Sequence, residues 1–439
     1  MSAVATDERA EAQPATERGP LPVVRWFAWS VLALRLVVLD GFEIFRAKSI
    51  NDYASFHFAA LAIHDGRSPY EINAIASIGA EFGLPGAKPY IYPPLLAELL
   101  LPMSMLDLWP ARVLWWLLNV ASFAGSLLLL DRWLGDKIKG ARDGGAARGL
   151  FAAAMALFWP LRESQWMGQV NAIVLLMLVL WWTQREKSPR AGAWLGFAMA
   201  IKMSPALLVL FVLSRRAWRE AAIAASVGAG LVLGSCAVLG ARGFAFFSSV
   251  TRGFLPGGHW YALNVPIDLP GNLSLAALSY ALTGPHDDHL RLTRGAAMLQ
   301  VALLVALLAV WGFRTLRSGA GDRSRDATGE GALAALTMLM IIAPTYAYEH
   351  HLAYATIAIA IAARLCVERR LSRAMMLAVL CAVAVLADPI GGFAPPANLL
   401  PRAVEPLWHC VKLLPVLVLF AATLFSRPQR PEADAARAT

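Results

Sequence analysis

Charged side chains are scarce in this chain of 439 residues. Asp, Glu, Lys and Arg make up only 16% of it, whereas 58% of the residues are hydrophobic. Soluble domains carry about 25% charged residues, so this composition cannot cover a water-facing surface in the usual way. A soluble globular protein is therefore excluded, and the chain has to be interpreted in a lipid environment.

Metal-ligand motifs and cysteines are also sparse. The four cysteines, Cys236, Cys366, Cys381 and Cys410, lie in or beside apolar runs, where cysteine packs as a small hydrophobic residue. There is no HExxH motif and no acidic cluster suited to a divalent cation. We therefore predict no metal and no other cofactor.

Apolar runs, in contrast, recur along nearly the whole chain. They cover residues 26–39, 110–130, 150–159, 170–182, 191–213, 221–241, 296–313, 332–343, 352–366, 374–387 and 407–425. Several approach the roughly 20 residues that a helix needs to cross a bilayer. We predict an all-α fold: a polytopic transmembrane bundle of about 10–13 membrane helices, some broken or re-entrant, with interfacial helices in an outer loop region.

The distribution of basic residues predicts the orientation. The start of the chain lacks the pattern of a signal peptide. We expect residues 1–22 and 426–439 to be disordered cytoplasmic tails around a single membrane domain, 23–425. The loops then placed inside hold 24 of the 39 lysines and arginines, as the positive-inside rule requires. The net charge of +9 could suggest nucleic-acid binding, but the clustering of the basic residues in short loops argues against it. The clustering predicts a cytoplasmic-membrane protein whose polar clusters face outward.

The first large outer loop, 42–90, contains the stretch DYASFHFAALAIHDG. Its helical spacing predicts an amphipathic helix on the outer surface, with His57, His64 and Asp65 on the polar face. Asp52 stands where an N-cap or first-turn acid belongs. A carboxylate there can also be desolvated and act as a base, so both interpretations stay open.

Lys202 is the most unusual residue within an apolar run, because no other charge lies within 11 positions on either side. A lysine at this depth costs about 2.5–3.5 kcal/mol on insertion scales, so it needs an anionic ligand or a buried ion pair. Two half-length helices meeting at Lys202–Pro205 would keep both basic flanks of 191–213 inside. The run 91–130 is likewise too long for one span, and it is interrupted at DLWPAR.

Further polar clusters fall on the same outer side. Tyr92 in KPYIYPP suits either an interfacial aromatic belt or a substrate site. Gln169 and Asn171 should face the bundle interior, because amide groups are costly in lipid. There they bond either neighbouring helices or the hydroxyl groups of a ligand.

Two clusters follow in the second half of the chain. Asn272, with Ser274, restarts a helix after a Gly- and Pro-rich loop, as an N-cap or as part of a loop closing over a cavity. Adjacent positions on a helix project about 100° apart, which disfavours a shared metal at His350 and His351. These two histidines instead donate to a phosphate or leaving group, or lie in the interfacial belt.

The order of these motifs resembles that of the integral-membrane glycosyltransferases of GT-C architecture, and more closely the polyprenol-phosphate-mannose-dependent alpha-mannosyltransferases of glycosyltransferase family 87. The resemblance extends over about residues 25–425. It rests on Asp52-Tyr53 with Ala60, Gly66 and Pro69-Tyr70, on Tyr92-Pro93-Pro94, Gly168-Gln169-Val170-Asn171, Lys202 with Pro205, Asn272 with Ser274, and Pro344 before His350-His351.

The resemblance implies an inverting transfer of a hexose, mannose above all, from a polyprenyl-phosphate donor to a lipid or glycan acceptor outside the membrane, without a nucleotide or an obligatory metal. Asp52 matches the position of the general base, and Asp40, Asp268 and Glu349 are reserve candidates. The expected donor phosphate and sugar contacts are Lys202, His350, His351, Tyr92, Gln169 and Asn171. Expected acceptor or loop residues are Asn272, Ser274 and Tyr53. The competing hypothesis is a transporter or flippase of a lipid-linked anion, which internal repeats would favour. No convincing repeat is evident.

Overall fold

The computed structural model describes residues 20–46, 50–84, 86–138, 144–251, 264–284, 288–318, 327–387, 407–408 and 410–427. In these ranges the regular structure is entirely helical, without strands. The all-α prediction is therefore confirmed. The predicted tails lie almost wholly outside the described residues, as does most of the Gly- and Pro-rich loop before Asn272.

Helices α1–α14 form the first part of the molecule, and α15–α20 the second. The first set is α1 (Pro20–Ala33), α2 (Asp40–Arg46), α3 (Asn51–His64), α4 (Ile72–Glu81), α5 (Pro94–Leu99), α6 (Leu101–Ser104), α7 (Leu108–Lys137), α8 (Gly144–Leu157), α9 (Trp159–Met167), α10 (Asn171–Gln184), α11 (Gly192–Ile201), α12 (Val209–Ser214), α13 (Trp218–Leu239) and α14 (Ala241–Ala245). The second set is α15 (Leu275–Thr283), α16 (Arg294–Ser318), α17 (Ala327–Ile342), α18 (Ala355–Val367), α19 (Arg373–Ala387) and α20 (Leu413–Leu424).

Shorter turns connect several of these helices. A π-helical segment, Leu34–Leu39, joins α1 to α2, and another, Phe246–Val250, follows α14. The described part of the chain also has 3₁₀ turns at Pro189–Ala191, Ser204–Leu208 and Glu349–Tyr354. The last of them carries the predicted histidine pair.

Within the described ranges, four segments are long and apolar enough to cross a membrane: α7, α13, Arg294–Arg317 of α16, and Glu349–Val367, which includes α18. Several shorter apolar helices accompany them. On α16, Met298, Val305 and Phe313 are each more than half exposed, as expected for a face that contacts lipid rather than water. The chain is a multi-pass membrane protein.

The helix break predicted at Lys202 is present. Helix α11 ends at Ile201, and Lys202 has an extended backbone with φ −145° and ψ 127°. The chain then turns through Ser204–Leu208 into α12, with Pro205 unable to donate a helical hydrogen bond. The interruption predicted in 91–130 is also present, because the short helices α5 and α6 precede the 30-residue helix α7.

The prediction that 51–64 forms a surface helix is wrong. Helix α3 is buried on nearly every side, because α4, α5 and α6 pack against it. His57, predicted on a polar face, is only 1% exposed, and burial lowers its pKa to about 4, so the ring is neutral. His64 and Asp65 at the end of the helix are exposed, as predicted.

Gly168 sets how closely the end of α9 approaches α3. It has φ +69°, and an added Cβ would lie 2.7 Å from the Cβ of Tyr53. Gly168→Ala therefore adds a steric clash to backbone strain, and we expect it to lower the free energy of unfolding by about 1–3 kcal/mol. The measurement is thermal unfolding in detergent.

The matched control for this substitution is Gly83→Ala. Gly83 has a similar φ of +72°, but an added Cβ would meet nothing within 4 Å. In this control, the free energy of unfolding should fall only by the part that comes from backbone strain. Equal losses for the two variants would show that the contact between α9 and α3 is not tight.

Candidate active site

One cavity collects most of the polar clusters predicted from the sequence. Its volume is about 430 Å³, and it lies between α3, the extended segment 88–93, the break at Lys202, the end of α17 and the segment 343–354. Of the predicted site residues, those lining it are Asp52, Tyr92, Gln169, Lys202, His350 and His351. Segments far apart in sequence therefore meet in one place.

The Asp52 carboxylate faces this cavity and is held by a short chain of hydrogen bonds. Tyr92 Oη donates to Gln169 Oε1 at 2.7 Å, and Gln169 Nε2 donates to Asp52 Oδ2 at 2.5 Å. The other carboxylate oxygen, Oδ1, lies 3.7 Å from Lys88 Nζ. Gln169 thus uses its amide N–H on Asp52, and Tyr92 holds that amide in place, which fits a positioning role for both better than the donor contacts expected for them.

Asp52 does not cap α3. The N-cap is Ile50, which makes no side-chain cap bond, and Asp52 stands in the first turn. Of the two positions predicted for Asp52, the first turn is thus confirmed and the N-cap is wrong, because the carboxylate turns toward Gln169 instead of toward the backbone N–H groups of its own helix.

Asp52 is the only acidic side chain that lines the cavity in the described part of the chain. The reserve acids are engaged elsewhere. Asp40 Oδ1 lies 3.4 Å from Arg162 Nε, Asp268 Oδ2 lies 2.8 Å from His289 Nδ1, and Glu349 Oε1 lies 2.6 Å from Lys412 Nζ. The geometry therefore favours Asp52 over these three as a base.

Lys202 reaches the cavity from the helix break. Its Nζ donates to Asn171 Oδ1 at 2.8 Å and lies 5.6 Å and 5.9 Å from the ring centroids of Tyr92 and Tyr354. The amide oxygen and the faces of the two rings attract the ammonium group electrostatically, but they carry no negative charge that would cancel its charge. No carboxylate among the described residues forms an ion pair with Lys202, so the buried ion pair weighed above is not found there.

Asn171 joins Lys202 to the histidine turn without lining the cavity itself. Its Oδ1 also accepts from Tyr354 Oη at 2.8 Å, and its Nδ2 donates to the carbonyl oxygen of His350 at 2.8 Å. One buried amide therefore fixes the lysine relative to the turn that carries both histidines.

His351 has a defined tautomer. Its Nδ1 accepts the backbone N–H of Tyr348 at 3.0 Å, so a neutral ring must carry its proton on Nε2. The ring lines the cavity beside His350, with 4.2 Å between the ring centroids. Of the two histidines, His351 is thus the one whose backbone contact makes it a hydrogen-bond donor.

No group of three or more His, Cys, Asp or Glu side chains within the described ranges is arranged as a set of metal ligands. Transfer without a metal or another cofactor stays a prediction.

Asn272 and Ser274 lie outside the cavity lining and hold the segment that forms one of its walls. Asn272 Oδ1 accepts the backbone N–H of Ala347 at 3.1 Å, and Ser274 Oγ donates to the carbonyl oxygen of Thr345 at 2.9 Å. Ser274, not Asn272, is the N-cap of α15, because its Oγ accepts the N–H of Ala277. Their contacts therefore support the loop role rather than acceptor binding.

Tyr53 is also outside the cavity lining. It is fully buried and stacks on Trp115 with 5.8 Å between ring centroids. This core position explains why the residue after Asp52 is aromatic, and it leaves no acceptor contact for Tyr53.

Sequence reasoning missed Lys88, Tyr348 and Tyr354, which all line the cavity. Lys88 precedes a proline in an outer loop, so it has no local signal. The aromatic spacing in PTYAYEHHLAY is the one pattern that could have pointed to the two tyrosines.

Comparison with known proteins identifies the family of this chain. A model of glycosyltransferase family 87 matches residues 90–344, more than half of the chain. The chain belongs to glycosyltransferase family 87. The resemblance found in the sequence motifs is thereby confirmed.

Several curated mycobacterial proteins are similar to this family 87 chain. A polyprenol-phosphate-mannose-dependent alpha-(1-2)-phosphatidylinositol mannoside mannosyltransferase of Mycobacterium tuberculosis (strain ATCC 25618 / H37Rv) is 30% identical over 222 residues, which are 47% of this chain and 50% of that one. Its namesake from Mycolicibacterium smegmatis is 26% identical over 218 residues, 48% and 49% of the two chains.

A third relative is the polyprenol-phosphate-mannose-dependent alpha-(1-2)-phosphatidylinositol pentamannoside mannosyltransferase of Mycobacterium tuberculosis (strain CDC 1551 / Oshkosh). It is 25% identical over 162 residues, which are 37% of each chain. The chain thus spans half or less of the length of these curated relatives.

Proposed function

We propose that this protein is a membrane mannosyltransferase. It transfers mannose, with inversion, from a polyprenyl-phosphate donor to a lipid or glycan acceptor on the outer side of the cytoplasmic membrane. The observation that carries the proposal is that three groups line a single cavity: the positioned Asp52 carboxylate, Lys202, which has no carboxylate within ion-pair distance among the described residues, and His351 with its donor Nε2–H. Family membership and the names of the mycobacterial relatives support the donor class.

In the proposed reaction, an acceptor hydroxyl attacks the anomeric carbon of the donor while Asp52 takes its proton. The bond from the anomeric carbon to the phosphate oxygen breaks, and the electron pair leaves with polyprenyl phosphate. Lys202 and the Nε2–H of His351 stabilise the charge that develops on this phosphate. The leaving group is a stable anion, so one carboxylate suffices and no second acid is required.

The apolar part of the cavity suits the isoprenoid chain of such a donor. Met203 and Leu207 line it together with Met340 and Ile341 of α17. Met203 is also 36% exposed, which connects this wall with the outer surface of the bundle.

The hydrogen bonds onto Asp52 predict the behaviour of Gln169→Ala. Loss of the Nε2–H donor frees the carboxylate to rotate away from the acceptor, so we expect kcat to fall about 10-fold with little change in the KM for the donor. Initial rates at varied donor concentration provide the measurement, with Gln184→Ala at the far end of α10 as control. A raised KM at unchanged kcat would instead restore the donor-contact role expected from the sequence.

The function itself is tested with the purified full chain in lipid nanodiscs. Polyprenyl-phosphate-mannose is supplied with a phosphatidylinositol mannoside acceptor, and parallel samples receive GDP-mannose in place of the lipid donor. We expect an acceptor with one added mannose from the lipid donor and none from the nucleotide. No transfer from the lipid donor to this acceptor or to other lipid-linked glycans would contradict the proposal.

A further inference from the structure

Lys88 is a second cation in the cavity, and it differs from Lys202 in how it is held. Its side chain is half exposed, and its only ion-pair contact in the described part of the chain is with Asp52 Oδ1 at 3.7 Å. Lys202, in contrast, is fixed by its hydrogen bond to Asn171. The ammonium group of Lys202 is thus held by a hydrogen bond, whereas that of Lys88 lies beside the proposed base with only a long ion-pair contact.

The backbone of Lys88 is anchored although its side chain is not. Its carbonyl oxygen accepts a hydrogen bond from Ser55 Oγ at 2.8 Å, and the following residue, Pro89, has a fixed φ. Ser55 lies on α3, one turn after Asp52. The ammonium group can therefore change its position through its side-chain rotamers while its attachment point stays next to the base.

The charges in the cavity change during the proposed transfer. Among the described lining residues, the formal charges are two ammonium groups and one carboxylate, a net charge that matches one phosphodiester donor. When the anomeric bond breaks, the phosphodiester becomes a phosphomonoester with a charge approaching −2. In the same step Asp52 takes the acceptor proton and becomes neutral. Lys88 thus loses its ion-pair partner at the moment when the phosphate gains a charge.

On the basis of the proposed function, we propose that Lys88 exchanges partners during turnover, from Asp52 in the resting site to the leaving polyprenyl phosphate. Lys202 holds the one charge that the phosphate carries in the bound donor. Lys88 meets the second charge, which exists only in the transition state and the product. An interaction of this kind accelerates the chemical step without tightening donor binding. Lys88 is therefore a catalytic residue that the sequence pattern did not reveal.

Binding to the purified full chain in nanodiscs tests this assignment. The probes are farnesyl phosphate, a phosphomonoester, and farnesyl phosphomannose, a phosphodiester. For Lys88→Met we expect the affinity for the monoester to fall about 10-fold and the affinity for the diester to change less than about 2-fold, with kcat about 10-fold lower. Lys88→Gln should behave like Lys88→Met, and Lys88→Arg should recover most of the monoester affinity. Lys187→Met, at an exposed position remote from the cavity, is the control.

Equal weakening of both probes, or no weakening of either, would overturn the proposal for Lys88. Because binding requires no turnover, the outcome is independent of the transfer assay. Selective loss of the monoester in a chain that transfers no mannose would support the phosphate contact of Lys88 and refute the proposed function. Transfer of mannose by the wild type, combined with an equal loss of affinity for both probes in Lys88→Met, would support the proposed function and refute the phosphate contact of Lys88.

Discussion

Asp52→Asn is expected to lower kcat for mannose transfer by about 10²–10³-fold while the donor KM stays within about 2-fold. An amide has nearly the shape of the carboxylate and can still accept the hydrogen bond from Gln169, so the geometry of α3 is preserved. It cannot take the proton of the acceptor. The loss therefore appears in the chemical step rather than in donor binding.

Steady-state transfer assays of Asp52→Asn measure this effect, with Asp65→Asn as the matched control. Asp65 is an exposed acid at the other end of α3, outside the cavity lining. Its substitution should leave both kinetic constants unchanged. A loss of less than about 10-fold in Asp52→Asn would be too small for a general base and would remove Asp52 from the mechanism.

Lys202→Met is expected to lower kcat/KM for the lipid donor by about 10²-fold, through a higher KM as well as a lower kcat. Methionine keeps an unbranched apolar side chain in the helix break but removes the charge. The phosphate then faces the rings of Tyr92 and Tyr354 in place of a cation. Charge-assisted hydrogen bonds to phosphate are about twice as strong as neutral ones, and the contact exists in both the bound donor and the transition state.

The measurement for Lys202 combines donor binding with transfer rates, and Lys187→Met again provides the control. The result also separates the two roles considered for this residue. A variant that folds and binds donor as tightly as the wild type would show that Lys202 has no ligand role. A merely structural lysine would instead change thermal unfolding without a selective loss of donor affinity.

The helix break at Lys202 could be predicted because its physical cause is local. A charge in the middle of an apolar run, followed closely by proline, cannot continue as a straight lipid-facing helix. The interruption before α7 was located from length instead, because 91–130 is too long for one span and contains DLWPAR. Composition and the apolar runs were likewise sufficient for the helical membrane fold, since only helices and closed barrels satisfy the backbone in lipid.

The burial of α3 could not be predicted because its cause is not local. The histidines near its centre and end suggested a polar face, but α4, α5 and α6 pack against the helix, and His57 is buried with its ring near Phe82 at the end of α4. Spacing within one helix shows which residues share a face. It does not show whether another element covers that face.

The roles of Tyr92 and Gln169 depended on contacts between distant segments. Gln169 and Asp52 are 117 positions apart, and their hydrogen bond exists only because the turn that follows α9 meets the start of α3. The sequence showed that the Gln169 amide had to face the interior, but not which group it would meet. Lys88 was missed for the same reason, since a lysine in an outer loop is ordinary until the fold brings it to a carboxylate.

The most direct test of the central claim is a single-turnover experiment on wild type and Asp52→Asn, each loaded with the same polyprenyl-phosphate-mannose and mixed with acceptor. Donor occupancy is measured in the same samples, so that binding and chemistry are separated. The account predicts equal occupancy and a rate of mannose transfer at least about 100-fold lower in Asp52→Asn. Transfer at the wild-type rate from an equally occupied Asp52→Asn site would contradict it.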